Sequence, residues 1–299
     1  MSAQLTVVRR QPRRARVWRV SLYVFLTSMA LLWLVPVGGA IYASLRPYGE
    51  TQKLGIFSLP KTFTVQNYRD AWAEGGMSHA FYNTMFITLP ALLLILTFSS
   101  AMAFAVSRFS WRFNVTLLLI FTAGNLLPAQ VIFQPLFQMF KHTPWPDLLS
   151  DTDTGSLLGT KIAVIIIHVA FQTGFCTFVL SNYMKTIPKE LGEAALVDGA
   201  SVVRQFFQII MPLCRPALAA LATLEFTWLY NDFFWGVVLL NQGDQRPITS
   251  SIANLGGQFF TNDNLISAAS MIIAVPTLVV YLALQRHFIS GLTLGANKG

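Results

Sequence analysis

Charge is scarce in this chain. Only 11% of its 299 residues are Asp, Glu, Lys or Arg, against about 25% in a soluble globular domain. So few charges cannot cover a water-facing surface, which excludes an ordinary soluble protein. Hydrophobic residues make up 54%, which excludes a disordered chain as well. Cysteine is scarcer still. Cys176 and Cys214 are too few for a disulfide framework, and no ligand cluster surrounds them. Both read as packing residues. The chain also lacks the Gly-x-x-x-x-Gly-Lys-Ser/Thr phosphate loop. Gly155-Ser156-Leu157-Leu158-Gly159-Thr160-Lys161 has the wrong spacing. No paired metal motif and no nucleophile–base set is present, so neither a catalytic nor a metal site is expected.

Long apolar runs are what the chain has. Six segments, 20–42, 83–106, 116–140, 161–183, 216–240 and 265–288, approach the roughly 20 residues needed to cross a bilayer. They do not alternate polar and apolar residues as barrel strands would. In lipid each backbone group needs an internal partner, so these runs predict helices. The first run is longer than a cleavable signal segment and reads as a retained anchor.

The sparse charges have an uneven distribution. With the N-terminus inside, fourteen of the 21 Lys and Arg fall on the inner side with three acids. Seven fall on the outer side with eight acids, and two acids stay in the helices. The whole +8 excess is thus a topology signal of the positive-inside kind, and no nucleic-acid partner is implied. The division predicts a basic cytoplasmic tail over 1–19, a six-helix membrane domain over 20–290, and a cytoplasmic tail over 291–299. Arg9, Arg10, Arg13, Arg14, Arg16 and Arg19 would also meet anionic lipid.

The inner loop 184–215 is the most informative stretch. Pro188 suits the first turn of a helix, and Glu190 and Glu193 complement its dipole. Gly199 can supply a left-handed C-cap. Ser201 can cap a second helix, expected to run to Ile210 and to stop at Pro212. This pair would expose Leu196, Val197, Phe206 and Phe207 without being long enough to span. Small Ala194 and Ala195 would allow close backbone approach. Periodicity alone leaves two readings open: a docking element for a partner protein, or an amphipathic helix lying on lipid.

Glu193-Ala194-Ala195, Gly199, Ile209 and Met211-Pro212 resemble the signature of membrane subunits of ATP-binding-cassette importers. Met211 stands where that family has Leu. The resemblance extends over nearly the whole chain, to the permeases of carbohydrate importers of the maltose type. Thr64-Val65-Gln66-Asn67-Tyr68, Trp228-Leu229-Tyr230-Asn231-Asp232-Phe233 and the ending Gly295-Ala296-Asn297-Lys298-Gly299 are similar to that subgroup. The resemblance implies an all-α, six-helix fold with both termini cytoplasmic, in the inner membrane of a prokaryote. It implies that Glu193, Ala194, Ala195, Asp198, Gly199, Ala200, Phe206 and Pro212 couple to a separate ATPase. Gly295, Lys298 and Gly299 would contact that ATPase too. Implied partners are a second permease, two ATPase subunits that bind ATP and Mg, and an extracytoplasmic solute-binding protein. The solute would be a sugar or oligosaccharide, with a glycerol phosphate as the alternative.

Within the apolar runs a few polar residues stand out. Glu225 and Asp232 are seven apart in the fifth run, close to two helical turns and so on one face. Trp228, Asn231 and Trp235 are near them. Gln130, Gln134 and Gln138 form a stripe at i, i+4, i+8 in the third run. Each set either lines a substrate path, where aromatic and hydrogen-bonding groups suit a sugar, or joins helices. His168 and Gln172 read as interhelical glue. Ion coupling through Glu225 and Asp232, as in a secondary transporter, is the competing function.

Overall fold

The computed structural model describes residues 13–110, 112–124, 128–146, 155–240, 242–255 and 262–293. Among them the chain is helical, with no strand longer than the single bridge between Pro144 and Ser156. Fourteen helices follow one another: α1 Arg13–Ser44, α2 Tyr48–Leu54, α3 Gln66–Glu74, α4 Met77–Arg108, α5 Asn114–Gly124, α6 Ala129–His142, α7 Lys161–Met184, α8 Glu190–Val197, α9 Val202–Gln205, α10 Met211–Leu213, α11 Arg215–Tyr230, α12 Phe234–Leu239, α13 Ile248–Leu255 and α14 Asp263–Thr293.

Within α1, α4, α7 and α14 lie four stretches long and apolar enough to cross a membrane. The count rises to six if each bent pair of helices makes one span. In the third apolar run the described residues form α5 and α6, on either side of residues 125–127. The fifth run is broken. The 16 residues of α11 rise only about 24 Å, short of the roughly 30 Å of hydrocarbon. Only paired with the bent segment Val202–Leu213 before it does α11 count as a candidate span. The last helix, α14, runs to Thr293.

The centre of the molecule is the packing of α4 against α7. Ala91, Ile95 and Ala103 meet Ile167, Cys176 and Leu180 in one buried cluster that Leu221 and Leu229 of α11 complete. Small residues let the backbones approach where lipid offers no hydrophobic driving force between helices. At Gly174 a Cβ would collide with the carbonyl of Phe121, so glycine is what allows α5 to lie against α7. Hydroxyls within these helices bond the preceding turn: Thr84 to Ala80, Thr173 to Val169, Thr177 to Thr173 and Thr223 to Ala219. They thereby satisfy themselves where water is absent.

A second cluster joins α3, α11 and α14 through Ala71, Tyr230, Ala268 and Ile273. The helix expected near Gln66 is α3. Its Asn67 is buried and donates to the carbonyls of Ser44 (2.8 Å) and Arg46 (2.7 Å). Asn264 donates to the same Arg46 carbonyl at 3.0 Å. Two buried amides thus tie α3 and α14 to the end of α1. Over its apolar stretch, α1 is otherwise almost wholly uncovered by this chain.

Candidate functional site

The loop 184–215 folds around two short helices. Lys189 flanks α8, with Glu190 and Glu193 in the first turn. Gly199 has φ +76°, the left-handed geometry its position predicts. In this turn the N–H groups of Gly199 and Ala200 reach the carbonyls of Leu196 (3.0 Å) and Ala195 (2.8 Å). The Ser201 hydroxyl caps α9, accepting from the Arg204 N–H at 3.3 Å. Such a cap is worth about 1 kcal/mol. The Gln205 side chain closes the turn by donating to the Ala200 carbonyl at 3.1 Å.

Two details differ from the sequence expectation. The second helix does not stop at Pro212. A π-turn over Phe206–Ile210 is followed by α10, whose first turn contains Pro212. The Met211 N–H reaches back to the Phe206 carbonyl, and this wider turn accommodates a proline that would clash within a regular α-helix. Phe206 is not exposed. It turns inward against Phe104, with ring centroids 5.2 Å apart. Leu196, Val197 and Phe207 do face outward, with Val197 88% exposed. Ala195 is buried and Ala194 is exposed. Glu193, Asp198 and Gly199 are exposed as well, and Ala200 is half-buried.

Sequence reasoning missed the residue that holds this element in place. Arg108, at the end of α4, donates to the carbonyls of Met184 (3.2 Å) and Ile187 (3.3 Å). It thus bridges the central helix pair to the first residues of the loop. A cleft of about 190 Å³ between them is lined by Phe104, Arg108, Glu193, Leu196 and Ile210. The available signal was a basic residue ending an apolar helix, where cations favour nearby carbonyls. The loop's second helix meets α11 at 74°.

The polar residues within the apolar runs divide. Glu225 is fully buried and accepts from the Cys176 thiol at 3.2 Å, which joins α11 to α7. Cys176 is therefore more than a packing residue. Asp232 does not share a helical face with Glu225, because α11 ends at Tyr230. Its carboxylate instead accepts the N–H groups of Trp235 (3.4 Å) and Gly236 (3.2 Å) at the start of α12. His168 Nε2 lies 3.7 Å from it. Trp228 is partly exposed and packs on Phe175. Asn231 is exposed and bonds Thr227 and Thr277. Gln130, Gln134 and Gln138 are all exposed along α6, so this chain does not cover the stripe. The tail residues Gly295, Lys298 and Gly299 lie outside the described residues.

Known proteins with these features are consistent in kind. Residues 95–293 match the family described as binding-protein-dependent transport system inner membrane component. The melibiose/raffinose/stachyose import permease MelC of Bacillus subtilis is 29% identical, over 96% of this chain and 100% of that one. The probable starch degradation products permease AmyC of Thermoanaerobacterium thermosulfurigenes is 30% identical, over 90% and 93%. The fold matches a chain of a bacterial ABC transporter involved in the import of the acidic polysaccharide alginate. The TM-score is 0.75, with 21% identity over 93% of this chain and 99% of that one. A multi-pass helical protein with this loop, matched over two thirds of its length, is a transporter subunit and not an enzyme. The chain belongs to the family of binding-protein-dependent inner membrane components, as a permease subunit of an ABC importer.

Proposed function

We infer that this permease moves a sugar or oligosaccharide inward across the cytoplasmic membrane of a prokaryote. Six spans leave both termini and the loop 184–215 on the cytoplasmic side. The solute class follows from the relatives named for melibiose, raffinose, stachyose and starch products. A neutral sugar also suits the uncharged stripe Gln130, Gln134 and Gln138, with Trp228 and Asn231 as further path-lining groups. Glu225 and Asp232 hold the path's framework: one joins α11 to α7, the other caps α12.

Coupling is carried by the exposed Leu196–Val197 tip, which the Gly199 turn and the Arg108 bridge hold ready for a partner. Glu193, Ala194, Asp198 and Ala200 frame that tip, while Ala195, Phe206 and Pro212 shape it from within. The partner is one of two cytoplasmic ATPases, which bind ATP and Mg. Gly295, Lys298 and Gly299 reach the same ATPases. A second permease covers the glutamine stripe to complete a heterodimeric pore, and an extracytoplasmic binding protein delivers the solute. ATP acts by favouring one membrane conformation over the other through differential contacts.

The test is reconstitution of the chain with its partner subunits in vesicles. ATP hydrolysis stimulated by the binding protein loaded with an oligosaccharide is expected. Ion-driven uptake by this chain alone, or stimulation only by non-sugar solutes, would overturn the corresponding part of the reading.

A further inference from the structure

Between α2 and α3 the loop 55–63 presents an unusual surface. Phe57 is 100% exposed and Leu59 88%, and Ile56 and Phe63 are exposed beside them. A loop in water has no reason to display such side chains, yet this one is held firmly. Arg46 is fully buried and donates to the carbonyls of Gly55 (3.3 Å) and Ile56 (2.9 Å) and to Ser58 Oγ (2.8 Å). Glu50 pairs with Arg46 at 3.1 Å and accepts the backbone N–H groups of Lys61 (2.9 Å) and Thr62 (3.3 Å). The apolar tip is therefore built, and it projects outward by design of the backbone around it.

The height of the tip comes from α1. The hydroxyl of Tyr42 bonds the carbonyl of Ser58, the residue between Phe57 and Leu59. Side chains on a helix lean toward its N-terminus, which for α1 means back toward the bilayer. The Ser58 carbonyl thus lies no farther out than the last turns of α1, and the Thr64 N–H closes the loop on the Leu45 carbonyl at 2.8 Å. The apolar stretch of α1, Trp18–Ser44, rises about 40 Å against roughly 30 Å of hydrocarbon. A stretch longer than the hydrocarbon carries its final turns to the headgroup layer, and the Tyr42 and Thr64 bonds keep the loop beside those turns. Lys53 and Lys61, both exposed, flank the apolar residues where lipid phosphates would lie.

The geometry points to the loop 55–63 as a lipid-interface anchor. Phe57 and Leu59 enter the boundary between headgroups and acyl chains, and Lys53 and Lys61 meet the phosphates of anionic lipid. This assignment needs only that α1 crosses the membrane, and it stands apart from the identity of the solute.

Nitroxide labels at Phe57→Cys and Leu59→Cys test it, in the assembled transporter, within vesicles of phosphatidylethanolamine and phosphatidylglycerol. The native Cys176 and Cys214 are buried and stay unlabelled. Collision with lipid-soluble oxygen is expected to exceed collision with a water-soluble nickel chelate several-fold. Adding Tyr42→Phe, which removes the tie between α1 and the Ser58 carbonyl at the tip, should shift the balance toward the chelate. Dominant chelate collision without that change would place the tip in water and overturn the proposal. Low collision with both reagents would place it under a partner subunit and overturn it equally.

Discussion

The thiol of Cys176 donates to Glu225 Oε1 across 3.2 Å, and this contact fastens α7 to α11 in the middle of the membrane domain. Removing one partner of a buried hydrogen bond leaves the other unsatisfied, at about 1–3 kcal/mol. Cys176→Ala should lower the thermal midpoint of the purified complex. Cys176→Ser, which keeps a donor, should lose less. Equal losses in the two variants would show that packing and not the hydrogen bond matters there.

A Cβ on Gly174 of α7 would lie 2.2 Å from the Phe121 carbonyl oxygen of α5. A methyl group there must push against the Phe121 carbonyl, which is backbone and cannot rotate away. Gly174→Ala is expected to destabilise by about 1–3 kcal/mol, the usual cost of overpacking. Gly192, whose Cβ would make only an ordinary contact with Gln205, is the control. Unfolding curves of the two variants in the same detergent compare them directly.

At Gly199 the space for a side chain is open, but φ is +76°. A β-branched residue in that conformation is strained by about 1–2 kcal/mol and would relax by reshaping the turn. Gly199→Val should therefore insert and assemble, yet hydrolyse ATP without matching solute uptake. Measuring uptake per ATP consumed decides it; normal coupling in this variant would count against the loop's docking role.

Glu50 predicts an acid-sensitive segment between α1 and α3. The Lys61 N–H, with Arg46 and Thr62, holds its carboxyl below the ordinary value of 4.5. A depressed folded-state value contributes stability above the ordinary carboxylate range, and loses it as pH falls through the depressed value. Proteolysis of the segment 47–65 should accelerate below about pH 4.5. Glu50→Gln should be cut faster at neutral pH and respond less to acid.

Much of the architecture is local and was legible. Apolar runs announce spans because lipid demands them, and Gly199 and Ser201 announce a turn through chemistry that acts over a few residues. The errors came where geometry depends on distant partners. Phe206 looked exposed because nothing adjacent in sequence covers it, whereas Phe104 lies about a hundred residues earlier. Glu225 and Asp232 looked like one face because the break after Tyr230 is invisible to a period of 3.6. Arg108 looked like one more inner-side charge, since its acceptors, the carbonyls of Met184 and Ile187, lie 76 and 79 residues later.

What the amino-acid order determined by itself is which stretches suit the bilayer, where the charge excess falls, and which residues form the loop between the fourth and fifth runs. These follow from hydropathy and short-range turn chemistry. Only the tertiary structure decided which way each polar group turned: Glu225 to Cys176, Asp232 to the start of α12, the glutamines to an uncovered face, and Arg46 to a loop whose Phe57 stands bare. In a medium without water, a polar side chain takes whichever partner the packing of helices brings to it.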